Sequence, residues 1–464
     1  MTTKPKKPQQ NSTKKHKDGV EVTCTEQSHD GKGIVQWLGK PLAVSGLLPQ
    51  ERAVVQVLQR KHSVQASLVR VLTPSSKRVK APCRYFDACG GCQLQHMSYT
   101  AQLKFKEDYV RTLLSPFGEV NPIIGMDEPF RYRNKSHMTY GVGPKRKNIC
   151  GMYAENTHQL IDLDTCLVQT EKADAIAQTI KSLLPSFKLV PYDEDSGQGH
   201  LRHILIKTGF RSGQIMLVLV VGYKMLPSKA NFVKAILKAH PEITTVLLNV
   251  NNNRTSMVLG QQEFVLYGSG VIEEELCGLR FKISAKSFFQ INPIQTEKLY
   301  DYAMSLAELT GKESVVDAYC GTGTIGLIAS RQAKEVIGIE LNSDAIKDAQ
   351  VNAKLNDINN IKFVEGDATD VLLKMAQKKQ KVDVLFMDPP RSGSTDQFIR
   401  STVALAPEKI VYISCNPQTQ QRDVQLLEDL GYKVKAIQPV DLFPMTYHVE
   451  AIILMTRSGS GEKK

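Results

Sequence analysis

The apolar run KIVYISC (409–415) ends on a cysteine and is stopped at once by Asn416-Pro417. A buried cysteine is commonly just a small hydrophobe, so Cys415 acquires chemical meaning only from where its strand ends. Earlier in the chain, GTGTIG (321–326) follows another strand-like run, with glycines spaced to permit a tight turn and close backbone approach to a ligand. Glu340 closes the next run, EVIGIE, where a carboxylate can accept hydrogen bonds from ribose hydroxyls. A nicotinamide dinucleotide and S-adenosylmethionine both suit this description, and a glycine turn that merely packs is a third reading.

These residues need a common frame. Strand-like runs at 314–320, 335–340, 361–367, 382–388 and 409–415 alternate with helical segments, the pattern of an α/β doubly wound parallel sheet. Ligands bind such sheets outside the carboxyl ends of the strands, and Asp317, Tyr319, Glu340, Asp367, Asp388 and Cys415 all fall at or near those ends. The alternation then breaks into YKVKAIQPVDLF and HVEAIILMTR, read as a closing hairpin with one antiparallel strand. A reversed final strand starts on the edge where its parallel neighbours finish. Glu450 therefore falls on the edge that holds Cys415, and a thiol and a carboxylate 35 positions apart can converge; a solvated strand-end charge is the alternative.

With 464 residues and 42% hydrophobic content the chain can bury several cores. Residues 1–18 read as a basic disordered tail. Short β-type runs over 19–73 suggest a small barrel of the oligonucleotide-binding type, 74–280 a central α+β domain, and 281–464 the doubly wound domain. The net charge of +12 is uneven, since residues 1–120 carry 19 Lys and Arg against 9 Asp and Glu. Such a basic end is either a solvated arm or a nucleic-acid contact. FRYRNKSHMTYGVGPKRK (130–147) adds six Lys and Arg, no acid and three aromatic rings, a composition suited to phosphates and stacked bases. The first residues, Lys-rich with no apolar stretch, read as neither a secretory signal nor an anchor, and the longest apolar run, IMLVLVV (215–221), is too short to cross a bilayer. A cytoplasmic location, no membrane role and no protein partner are the expectations. Nine cysteines, an odd number, argue for thiols, metal ligands or catalysis rather than a disulfide framework.

Five co-linear motifs, SFFQIN (287–292), DAYCGTGTIG (317–326), DPPRSG (388–393), ISCNP (413–417) and HVE (448–450), together resemble the RNA uracil-5-methyltransferases. The N-terminal barrel looks like a TRAM domain, and CRYFDACGGCQLQH (83–96) resembles the iron–sulfur segment of the 23S ribosomal RNA branch. Members acting on transfer RNA typically lack both additions. The resemblance implies a class I methyltransferase sheet, S-adenosylmethionine as methyl donor and 23S ribosomal RNA as partner, with a uridine flipped from a loop into the site. It also implies a [4Fe–4S] cluster on Cys83, Cys89, Cys92 and the distant Cys166, with structural zinc as the alternative and Cys150 able to replace Cys166 on spacing alone.

Uracil C5 is too weak a nucleophile to take a methyl group directly. A thiolate adding at C6 turns the ring into an enolate whose C5 can attack a sulfonium methyl, and Cys415 is the candidate. A base must then remove the C5 proton; the resemblance implies Glu450, with His448 as a competitor. Cofactor contacts carry over onto Gln290, Asp317, Tyr319, Gly321, Gly323, Glu340, Asp367 and Asp388, the last also able to touch the uracil. Cys24, Cys277 and Cys320 read as packing residues.

Overall fold

The computed structural model describes residues 14–15, 19–60, 63–253, 255 and 257–458, so the basic tail expected over 1–18 lies outside the described residues apart from Lys14–Lys15. The chain forms two compact units, residues 1–102 with 445–447, and residues 103–444 with 448–464.

The first unit is built on a curled antiparallel sheet of strands Val20–Gln27, Gly33–Trp37, Lys40–Val44, Arg52–Arg60 and Ser63–Thr73, with Lys14–Lys15 on its edge. Alternate residues Val22, Cys24, Val35, Val44, Ala53, Val55 and Val57 fill its interior, as period-two alternation requires. Lys40–Val44 was not expected, because Pro41 disguises a strand on the sheet edge where proline is tolerated. Leu38 and Gly39, both with positive φ (49° and 73°), form the two-residue turn that pairs it with Gly33–Trp37. The cysteine-rich stretch that follows holds no strand and no helix before Tyr99–Leu114.

The second unit contains two large sheets. Strands Lys135–Val142, Asn148–Tyr153, Leu160–Asp162, Leu201–Thr208, Ile215–Val221, Ile243–Val250 and Gln262–Tyr267 form a mixed sheet. Helices Glu171–Leu183 and Lys229–Ala239 pack on one face, so the expected α+β character holds. Ile215–Val221 is buried at every position, which explains why it reads as a continuous apolar run.

The other sheet has the order Ile361–Glu365, Glu335–Glu340, Ser314–Ala318, Val384–Met387, Lys409–Ser414, Glu450–Arg457, Tyr432–Val440. The first five are parallel, and Glu450–Arg457 runs antiparallel to both neighbours. This is the expected doubly wound sheet with a closing antiparallel strand. The chain order reverses between Ser314–Ala318 and Val384–Met387, the switch point where such folds open a crevice. Val384–Met387 is buried on both faces, and separate apolar clusters flank the sheet. The link from Val440 to Glu450 spans 441–449, longer than the short turn expected, and lets the last strand insert beside Lys409–Ser414.

Candidate active site

The turn after Ser314–Ala318 is tightly specified. Tyr319, Gly321 and Gly323 all have positive φ, at 65°, 55° and 83°. A non-glycine residue held in the left-handed region is a local cost, of the kind that collects at functional sites. At Gly323 a Cβ would also come within 3.1 Å of the Phe363 ring. Asp317 Oδ2 accepts the Gly326 N–H at 2.7 Å, tying strand to helix. Among the described residues its buried Oδ1 has no hydrogen-bond partner. Burial pushes the Asp317 carboxyl up to about 8, Asp388 and Glu340 adding to the rise while the Gly326 bond opposes it.

Glu340 is pinned across the turn, Oε2 accepting the Gly321 N–H at 3.1 Å and Oε1 the Asn342 N–H at 2.9 Å. A cavity of about 410 Å³ opens there, lined among others by Gln290, Tyr319, Glu340, Asp367 and Asp388. Its size suits a nucleoside-bearing ligand. Asp367, exposed on the rim, also caps helix Ala368–Gln377 by accepting the Thr369 N–H at 2.8 Å. Tyr300, absent from the sequence reading, lines the cavity too; its hydroxyl lies 3.5 Å from Thr324 Oγ1 and bonds the Gln290 side chain. On its helix Tyr300 has the spacing of an ordinary core residue, so no sequence signal marks it.

The thiol and the carboxylate come to the same edge. Ser414 pairs with Ala451 in the antiparallel ladder, so the next cross-strand position on that edge sets Cys415 opposite Glu450. Burial pushes the Cys415 thiol up to about 11; Glu450 and then Asp388 raise it further, and Arg391 opposes them by its charge and a hydrogen bond. Burial also lifts the Glu450 carboxyl well above the usual range, again with Asp388 adding and Arg391 opposing. Asp388 is itself pushed up to about 7 by burial. Three acidic groups this close do not all ionise together, and Asp388 joins them to the cavity it lines. His448 moves the other way, down to about 4, through burial and then the charge of Arg391, while its ring packs edge-on to Phe443.

Asn416 caps helix Pro417–Asp429 through the Gln418 N–H, and Pro417 opens it, so the chain turns from strand to helix within one residue of the thiol. Asn416 Nδ2 donates to the Arg391 carbonyl at 3.0 Å. Further along, buried Asp423 accepts from Ser394 N–H and Tyr412 O–H, both at 2.8 Å, and pairs with Arg422 at 2.7 Å. Thus DPPRSG is anchored from the helix that follows the cysteine. Asp423 was missed because a single acid in a polar helix looks solvated.

The cysteine expectations fare differently. Cys83, Cys89 and Cys92 belong to the first unit and Cys166 to the second. Among the described residues, no group of three His, Cys, Asp or Glu side chains is placed to hold a metal. Within the segment, Cys83 N–H donates to the Gln95 side-chain Oε1 at 3.2 Å and Cys89 N–H to the Tyr85 carbonyl at 2.8 Å. Cys150 is fully buried beside Met138, so it is a packing residue. In the basic stretch 130–147, Arg131 is committed to Asp174 at 2.8 Å, whereas Lys145, Arg146 and Lys147 are exposed at the hairpin tip.

A glycine-turned parallel sheet with a reversed seventh strand, and a cavity at its carboxyl ends, defines a class I S-adenosylmethionine-dependent methyltransferase. The tRNA (uracil-5-)-methyltransferase family model matches residues 98–458. The chain belongs to that family, and it is an S-adenosylmethionine-dependent RNA (uracil-5-)-methyltransferase. It is 42% identical over 438 residues to an uncharacterized RNA methyltransferase of Clostridium tetani, covering 93% of this chain and 95% of the relative. A Listeria innocua RNA methyltransferase, also uncharacterized, is 40% identical over 447 residues, 95% and 98% of the two chains. Among solved structures, the Pyrococcus abyssi tRNA (uracil-54, C5)-methyltransferase in complex with S-adenosyl-L-homocysteine superposes with a TM-score of 0.77 at 25% identity, over 94% of this chain and 99% of that one. Among the described residues no helix is long and apolar enough to cross a membrane.

Proposed function

We propose that this enzyme methylates C5 of a flipped uridine in cytoplasmic 23S ribosomal RNA through a covalent bond between Cys415 and C6. The observation that carries the reading is the antiparallel register ending at Ser414 opposite Ala451, which brings Cys415 and Glu450 to the same end of the ladder, with the charges of Glu450 and Asp388 both acting on the thiol and Asp388 also lining the cavity. Gln290, Tyr319, Gly321, Gly323, Glu340, Asp367 and Asp388 hold the methyl donor, and Asp317 braces the turn. When bound, S-adenosylmethionine supplies an electrophilic sulfonium methyl. Cys415 would release its proton to solvent and add to C6, and C5 would take the methyl as the sulfonium–methyl bond breaks, leaving S-adenosyl-L-homocysteine. Glu450 then accepts the C5 proton, so that the C6–S bond breaks and the ring is restored. A carboxylate raised by burial is a stronger base than one in water, whereas His448, held low, is a weaker one.

The ribosomal substrate is supported by the N-terminal barrel-like sheet and the cysteine-rich segment, both outside the motifs needed for methyl transfer. Exposed Lys145, Arg146 and Lys147 provide phosphate contacts. Cys83, Cys89, Cys92 and Cys166, none of them in a disulfide, match in number the ligands of a [4Fe–4S] cluster; about four iron and four sulfide per purified chain, with little zinc, is the expected content. The second reading, transfer RNA, is favoured by the solved neighbour, which acts on uracil 54 of tRNA. Mapping 5-methyluridine in both RNAs from cells with and without this protein separates them. RNA carrying 5-fluorouridine at the target should form a stable adduct on Cys415, because fluorine at C5 cannot leave as a proton; no adduct with cofactor present would refute the covalent route.

A further inference from the structure

The loop 284–291 carries three residues of the cavity wall, Phe288, Phe289 and Gln290, and has no helix or strand of its own. Two buried residues hold it, Asn134 immediately before strand Lys135–Val142 and Lys207 within strand Leu201–Thr208 of the mixed sheet. Asn134 is 7% exposed and donates Nδ2–H to the Gln290 carbonyl at 2.8 Å. Its backbone N–H reaches the Ile291 carbonyl at 2.9 Å, and its own carbonyl accepts the Thr208 N–H at 2.8 Å. Lys207, opposite Lys135 in the strand pair and 6% exposed, directs its ammonium at the Ser284 and Ser287 carbonyls, at 2.7 and 2.8 Å. A buried cation held on two carbonyls is costly, since neither partner neutralises its charge. Burial and the nearby Lys135 accordingly push it down to about 7.

We propose that Asn134 and Lys207 are positioning residues that fix the Phe288–Gln290 wall, so that affinity for the methyl donor is set from the strands bearing the basic segment. The inference rests on the assignment of this cavity to the methyl donor. Loop carbonyls that lose a buried donor must find another, and the wall shifts as they do; displacement of a contact residue by about 1 Å is enough to matter. Asn134 also lies directly between Arg133 and Lys135. Any strain that bound RNA places on that strand therefore reaches Gln290 through one hydrogen bond.

The test uses the full chain, with S-adenosyl-L-homocysteine titrated by calorimetry in the absence of RNA. Asn134→Ala keeps both backbone bonds and deletes only the side-chain donor; its Kd should rise about five- to tenfold. Asn134→Asp, which sets an acceptor against the carbonyl, should weaken binding at least as much. KM for S-adenosylmethionine should rise while kcat at saturation and RNA affinity stay within about twofold, a split that general destabilisation would not produce. Lys207→Arg, which retains the charge, should bind more tightly than Lys207→Met. Unchanged affinity in both Asn134 variants, or equal affinity in the two Lys207 variants, would overturn the proposal. Weakened cofactor binding in Asn134→Ala supports it even if Lys145→Ala, Arg146→Ala and Lys147→Ala together leave RNA affinity intact, an outcome that sinks only the RNA assignment of that tip.

Discussion

Cys415 should be a poor nucleophile in the ligand-free enzyme and become a good one only as the substrates enter. Its thiol sits at about 11, against 9.0 for an ordinary thiol, which lowers the thiolate population at neutral pH about a hundredfold. Glu450 is the first charge responsible after burial itself, and Arg391 is the opposing one. Glu450→Gln should therefore bring the thiol down and Arg391→Met should send it up. If each charge accounts for about one pKa unit, alkylation at fixed pH changes about tenfold in either direction. The assay is iodoacetamide labelling from pH 6 to 11, with the Cys415 peptide quantified by mass spectrometry and the remaining cysteines as internal controls. The free enzyme should show no inflection below about pH 10. At pH 8 the Glu450→Gln protein should label faster than wild type and the Arg391→Met protein more slowly. An inflection near pH 6 to 7 in the free enzyme would mean that the thiolate is preformed, and the electrostatic account of this cluster would be wrong.

Glu450→Gln should also reduce turnover about 10²- to 10⁴-fold while ordinary RNA accumulates as a covalent, methylated adduct visible on a denaturing gel; turnover loss with no adduct would reassign the base. Asp317, at about 8 when folded against 3.8, binds its proton more tightly in the folded state, so its contribution to stability is complete below about pH 4 and is lost as pH rises towards 8. Urea denaturation of Asp317→Asn should show a flatter pH dependence than wild type across that window, and parallel curves would remove Asp317 as the cause. Gly323→Ala forces a side chain into positive φ and against Phe363, which should cost about 1–3 kcal/mol by denaturation and weaken S-adenosyl-L-homocysteine binding. Asp423→Ala leaves Ser394 N–H and Tyr412 O–H unpaired, a loss of about 1–3 kcal/mol, and should slow adduct formation with 5-fluorouridine RNA by loosening the loop that carries Arg391.

Local pattern carries information over a window of a few residues, and the strands, the glycine turn and the strand-end acids are all visible within such windows. Period-two and near-continuous apolar runs define the sheet, and the reversed last strand follows from the break in strand–helix alternation, so the arrival of Cys415 and Glu450 on one edge of the sheet is legible from chain order. Asp423, Tyr300, Asn134 and Lys207 are not. Each is a polar or aromatic residue with ordinary local spacing, and its partners are supplied by burial against segments that sequence distance does not reveal, Asn134 bonding Gln290 from 156 positions away. The cysteines mark the same boundary from the other side. The resemblance implies a ligand set, but spacing along the chain does not show which thiols gather, and Cys83, Cys89 and Cys92 fall in one compact unit and Cys166 in the other. Sequence thus determined which groups reach the working edge of the sheet. Only the tertiary structure decided their ionisation and their supports, because desolvation and hydrogen bonding depend on everything packed around a group rather than on its neighbours in the chain.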